Sequence, residues 1–219
     1  MKEVENQVIL ERAQNWVQEK LKHDSSGHDW WHIERVRRMA VRLARISGAN
    51  LFICELAALL HDIVDDKLFP DQPTAYQELR SWFIEENIPE DIGAHVIEII
   101  STLSFKGGNN LKMRTLEGQV VQDADRLDAL GAIGAARTFA YSGWKGQAIY
   151  DPTIIFRSSM TKEQYRNEKS TAINHFYEKL LRLRELMNTE AARKIAEGRH
   201  KFMEDFLMRF DLEWQGTDE

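Results

Sequence analysis

Apolar residues along this chain recur at three- and four-residue intervals, the spacing of helices that bury one face. The first such stripe covers residues from about 3 to 22, through Val4, Val8, Ile9, Ala13, Trp16, Val17 and Leu21. His23-Asp24-Ser25-Ser26-Gly27 then supplies turn and capping residues. A second helix is expected from near Asp29 to about Ser47, with Ile33, Val36, Ala40, Leu43 and Ala44 inward. Glu34, Arg35, Arg37, Arg38 and Arg42 then read as its solvated face. After Gly48-Ala49-Asn50 a strongly apolar third helix begins at Leu51, carries His61-Asp62 and stops before Phe69-Pro70.

Further helices are expected over about 74 to 86 and 89 to 101, where Pro89 suits a first-turn position. Another covers about 116 to 137, with a break near Asp123 or Gly131. Two more, at about 161 to 187 and 189 to 210, close the chain. Residues 104 to 110 read as a loop. The longest irregular segment runs from 142 to 162 and contains Gly143, Gly146 and Pro152; segments of that kind are often binding loops, and Lys145, Tyr150 and Arg157 lie in it. No repeat, low-complexity tract or linker divides the chain. The expectation is an all-α protein, one helical-bundle domain over residues 1–219, with C-terminal helices from about 160 to 212 packed on the rest.

Composition narrows the class. A net charge of −6 opposes binding to a nucleic-acid polymer, while leaving room for a local cationic cleft. The single cysteine, Cys54, stands among Ile53, Leu56 and Ala57 and reads as a small core residue in a reducing compartment. Met1-Lys2-Glu3-Val4-Glu5-Asn6 lacks the apolar core of a signal peptide, and no apolar run is long enough to span a bilayer. A cytoplasmic protein with no membrane partner is expected.

Three groups of residues carry candidate chemistry. Adjacent helix positions lie about 100° apart, so His61 and Asp62 can converge on one point while Leu59, Leu60 and Ile63 face the core. An imidazole beside a carboxylate suits a divalent ion such as Mn, Fe, Co, Ni or Zn. His28 and His32, in His28-Asp29-Trp30-Trp31-His32, stand four apart on one helix face. Gln122-Asp123-Ala124-Asp125-Arg126-Leu127-Asp128 offers three carboxylates among apolar neighbours.

The order His, His-Asp, Ala-Asp-Arg, all on helices, resembles the HD superfamily of metal-dependent phosphohydrolases over about residues 25 to 135. The resemblance implies that His32, His61, Asp62 and Asp125 hold a metal ion, Asp125 because its Ala-Asp-Arg context is similar to the family's last motif. The phrases HDWWHIERV, HDIVDDK, QDADRLDALGAIGAARTFA and INHFYEKLL extend the likeness to nearly the whole chain, and look like the small stand-alone bacterial HD proteins of the YpgQ-like group. That likeness implies hydrolysis of a nucleotide, foremost of a nucleoside triphosphate to monophosphate and pyrophosphate. His95 is the only histidine between the doublet and Asp125, which favours one divalent ion, with Mn first and Mg, Co, Ni, Fe or Zn as alternatives.

Asp65 and Asp66, one turn beyond the doublet, are the candidates to assist an attacking water. Related guanosine-tetraphosphate hydrolases carry an acidic pair at the corresponding positions. His28, Lys67 and Lys106 are candidates for phosphate contacts, and Arg126 for a phosphate contact or for orienting a carboxylate. A 5′-nucleotidase or phosphodiesterase with the same ligands, or a non-catalytic nucleotide-sensing domain, are the rival readings. A homodimer is left open.

Overall fold

The structure is a computed structural model and describes residues 2–22, 29–65, 68–69, 71–103, 112–157 and 169–219. Among these residues every regular element is helical, as the periodicity predicts. They form two compact units, one reaching to Asp125 and one from Arg126 to Glu219.

The first unit holds α1 (Lys2–Leu21), α2 (Trp30–Ser47), α3 (Leu51–Leu60), α4 (Gln72–Glu85), α5 (Glu90–Thr102) and most of α6 (Leu116–Asp128). Helix α3 is its centre: Phe52, Ile53, Cys54 and every residue from Leu56 to Leu60 are buried, against α1, α2 and α5. A helix apolar on nearly all sides has to be enclosed by others. Full burial of Leu56, Leu59 and Leu60 stabilises by about 1.5–3 kcal/mol per side chain. Burial also pushes the Cys54 thiol up to about 12, helped by the nearby Glu117 charge, so this cysteine is an inert core residue.

Helices α2 and α3 form an antiparallel hairpin whose punctuation was legible. The Asp29 carboxylate caps α2 by accepting from the His32 N–H at 3.0 Å. Gly48 closes it in the left-handed conformation with φ 75°, and Asn50 caps α3. The charged face of α2 differs from expectation. Glu34 is buried, accepts from Arg37 and Arg38, and Arg37 reaches on to Glu55 of α3 at 2.6 Å. Burial alone would raise the Glu34 carboxyl, but Arg37 and Arg38 together hold it below its ordinary value. Glu34 and Arg37, read as solvated surface, are thus tied into the hairpin, because the Arg37 fork is long enough to bridge two helices, while Arg38 stays exposed.

The second unit contains the last residues of α6, then α7 (Gly131–Trp144), α8 (Ala172–Glu178), two 3₁₀ turns (Leu180–Arg182 and Arg184–Leu186) and α9 (Glu190–Gln215). Of the two break points considered for residues 116 to 137, the one at Gly131 is used. Its φ is +73°, and a β-carbon there would stand 3.1 Å from Arg199 of α9. A β-carbon on Gly134 would lie 2.2 Å from the Ala129 carbonyl oxygen, so only glycine permits this corner. Helix α7 runs on to Trp144, past the expected start of the irregular segment.

The helix expected over 161 to 187 needs correction. Its described part is the short α8 followed by 3₁₀ turns, and the break falls at Lys179, whose backbone (φ −134°, ψ −59°) leaves the helical region. Leu180, Leu183 and Met187 are buried all the same. They stand at i, i+3 and i+7, the spacing of one α-helical face, so periodicity alone read them as one continuous helix. Residues 145 to 157 fasten onto α8: Asn174 donates to the Ile154 carbonyl at 2.8 Å, and Arg157 binds the buried Glu178 carboxylate through Nε at 2.9 Å and Nη2 at 3.1 Å.

Candidate metal centre

Two helix ends and one helix flank bring four side chains together. His32 comes from the first turn of α2, and His61 and Asp62 from the end of α3. The antiparallel register that pairs Arg37 with Glu55 also sets His32 opposite His61. Asp125 arrives on α6, which runs alongside α3 in the same direction; Glu117 anchors its start by accepting from the Asn50 N–H at 2.9 Å.

The doublet does not lie within the helix as expected. Helix α3 ends at Leu60, and residues 61–64 continue as turns with i→i+3 bonds, Ile63 N–H to Leu60 at 3.2 Å and Asp65 N–H to Asp62 at 3.1 Å. One end carbonyl, Ala58, accepts from the His61 ring Nδ1 at 2.8 Å. A helix leaves its last carbonyls unpaired, and here the imidazole supplies a donor that a further helical turn would otherwise provide.

That bond also sets the chemistry of the ring. With its proton on Nδ1, a neutral His61 presents a lone pair at Nε2. The Nε2 atoms of His32 and His61 stand 3.2 Å apart, with the rings edge-to-face at 72°. Asp62 brings Oδ2 to 3.5 Å from His32 Nε2 and Oδ1 to 3.4 Å from His61 Nε2. Asp125 Oδ1 lies 3.6 Å from His32 Nε2 and 4.0 Å from His61 Nε2. His32, His61 and Asp62 are buried, and their donor atoms lie within 4.8 Å of one another, close enough to share one ion. Two imidazole nitrogens facing each other amid carboxylate oxygens need a proton or a cation between them. The donor set, two nitrogens and anionic oxygens, fits a divalent transition ion.

His61 reports the same electrostatics. Burial would lower its pKa, but the charges of Asp62 and Asp125, the Ala58 bond and the charge of Asp65 outweigh it, and the net shift is upward. The site favours positive charge.

The other carboxylates of α6 are placed differently. Asp123 is fully buried, and Asp128 pairs with Arg137 at 2.9 Å in the second unit. Arg126 donates to the Leu186 carbonyl. Asp65 is half-buried, near enough to His61 for its charge to bear on the ring. His28, Asp66, Lys67 and Lys106 lie outside the described residues. His95 bonds Thr115 Oγ1 at 2.9 Å, and Trp31 is 64 % exposed. A residue the sequence reading passed over is Gln72, whose amide donates to the Val64 carbonyl just after the doublet.

Similarity to known proteins agrees with this geometry. A family model described as HD domain matches residues 30–130. YpgQ of Bacillus subtilis (strain 168) is 38 % identical over 210 residues, 95 % of each chain. A crystal structure from Lactobacillus plantarum is 46 % identical, covers 95 % of this chain and 98 % of its own, and superposes with a TM-score of 0.87. An HD-superfamily hydrolase from Bacillus thuringiensis is 45 % identical over 96 % of this chain and 98 % of its own, with a TM-score of 0.76. YpgQ has also been crystallised in complex with ADP, a structure covering 95 % of this chain and 100 % of its own, with a TM-score of 0.74. The chain belongs to the HD-domain family.

Proposed function

We propose that this protein is a metal-dependent phosphohydrolase acting on nucleotides, cleaving nucleoside triphosphates to monophosphate and pyrophosphate. The observation that carries the reading is the convergence of two imidazole Nε2 atoms, 3.2 Å apart, with the carboxylates of Asp62 and Asp125. His32, His61, Asp62 and Asp125 would hold one divalent ion, with manganese the first candidate. Such an ion, when bound, polarises a phosphoryl oxygen and makes water acidic enough to attack near neutral pH.

The chain's own residues do the rest. Burial of His32, His61 and Asp62 limits water around the donors and strengthens each charge interaction there. Asp125, with about a third of its side chain exposed, is the ligand nearest to solvent and so to an arriving phosphate. Asp65 accepts the proton of the attacking water, since its carboxylate is close enough to act on His61 without belonging to the buried set. A nucleotide as substrate is supported by the ADP complex of YpgQ, a relative sharing 38 % of its residues with this chain.

Product identification tests the proposal. Metal-stripped protein is incubated with nucleoside mono-, di- and triphosphates, with Mn, Mg, Co or Ni restored in turn. The expected result is metal-dependent release of pyrophosphate and monophosphate from triphosphates. Phosphate released from monophosphates would replace the reading with a nucleotidase. No turnover of any nucleotide by metal-loaded protein would refute it.

A further inference from the structure

Among the described residues between the His-Asp doublet and α4, one side chain joins two separated backbone points. Gln72 Nε2 donates to the Val64 carbonyl and, at 3.4 Å, to the Phe69 carbonyl. Those two carbonyls flank Asp65, whose own carbonyl accepts from the Leu68 N–H at 3.1 Å and the Phe69 N–H at 2.8 Å. Gln72 is the first residue of α4, directly after the Asp71 cap, which accepts from the Thr74 N–H at 3.2 Å. Its amide is thus carried on an ordered helix end, and Val64, on the other side of the bond, is buried in the core. Asp65 thus lies between two backbone points, Val64 and Phe69, that Gln72 holds.

Only an amide of this length serves. Two carbonyl oxygens need N–H donors, which glutamate and leucine lack, and asparagine is one methylene too short to reach as far. We propose that Gln72 is a positioning residue: by holding Val64 and Phe69 it fixes the backbone on either side of Asp65, and with it the place of that carboxylate. The proposal rests on the role given to Asp65 above. In this role Gln72 acts through Asp65.

The test compares Gln72→Met, Asp65→Asn and the double variant in the full chain loaded with Mn. Steady-state kinetics on the nucleoside triphosphate, Mn affinity by calorimetry and amide exchange at Leu68 and Phe69 are measured. Gln72→Met is expected to lower kcat about ten- to hundredfold, the loss that misplacement of a reacting group by roughly an ångström brings, with KM and Mn affinity unchanged. Exchange at Leu68 and Phe69 should rise, and Gln72→Met should cost nothing more in the Asp65→Asn background. Gln72→Asn, which keeps the donors but falls one methylene short of the carbonyls, should show the same loss, and it stands in for Gln72→Met if that variant misfolds. A full kcat in Gln72→Met beside an inactive Asp65→Asn overturns the role of Gln72 alone. Losses that multiply in the double variant also overturn it. A fully active Asp65→Asn shows instead that the assignment of Asp65 has failed, and the proposal with it.

Discussion

Metal binding and proton binding compete at His61, and the sign of that competition is set by the structure. In the metal-free protein Asp62, Asp125 and Asp65 hold the imidazole above its ordinary value of 6.5. A raised folded-state pKa means that protonation stabilises the fold. That contribution is complete below the unfolded value and is lost as pH rises through the folded one. The metal acts in the opposite sense, because it needs the bare Nε2 lone pair. Below the folded-state pKa, each pH unit should weaken apparent metal affinity about tenfold for this one ring, or about 1.4 kcal/mol. The gain in Tm on adding Mn should be smallest near pH 5.5, grow as pH rises, and level off once the ring is neutral. Calorimetry at several pH values, in buffers of different ionisation enthalpy, counts the protons released per ion. A metal affinity independent of pH between 5.5 and 6.5, with no proton released, would refute the reasoning.

Two further outcomes follow from the geometry. Asp62→Ala should remove metal retention and hydrolysis while leaving helical circular dichroism intact, since the side chain ends α3 without entering the leucine core; metal analysis of the purified variant checks this, and a full complement of ion would contradict it. Gly134→Ala should destabilise by about 3 kcal/mol, a fall in Tm of about 6–12 °C for a chain of this size, because the new β-carbon meets the Ala129 carbonyl at 2.2 Å. Thermal unfolding decides, and an unchanged Tm would show that the corner between α6 and α7 yields easily.

Much of the fold was readable residue by residue. Asp29 and Gly48-Ala49-Asn50 marked the bounds of α2, because capping is local chemistry that a short window reveals. The stripe Ile33, Val36, Ala40, Leu43 and Ala44 is buried as its spacing required. Part of the charged face of α2 misled, since Glu34 and Arg37 are classed by type as surface residues, and their burial is tolerable only because Glu34 pairs with Arg37 and Arg38 and Arg37 reaches on to Glu55. The helix expected over 161 to 187 misled for a related reason: Leu180, Leu183 and Met187 keep the α-helical spacing i, i+3, i+7, and nothing in the local sequence marks Lys179 as the break.

For the candidate site the division is sharper. From the residues alone, the His61-Asp62 doublet and the His28/His32 pair stood out, while Asp123, Asp125 and Asp128 remained equivalent until the likeness to HD proteins favoured His32 and Asp125. In the tertiary structure Asp125 faces the two imidazoles and Asp128 faces Arg137. Sequence determined the helical class, the bounds of α2 and the types of donor, because periodicity and capping act within a few residues. Only tertiary structure decided the end of α3 at Leu60, the tautomer set by Ala58 and the reach of Gln72 to Val64 and Phe69. Each of these depends on where one polar group finds a partner after the helices have packed, and such partners are chosen by distance in space.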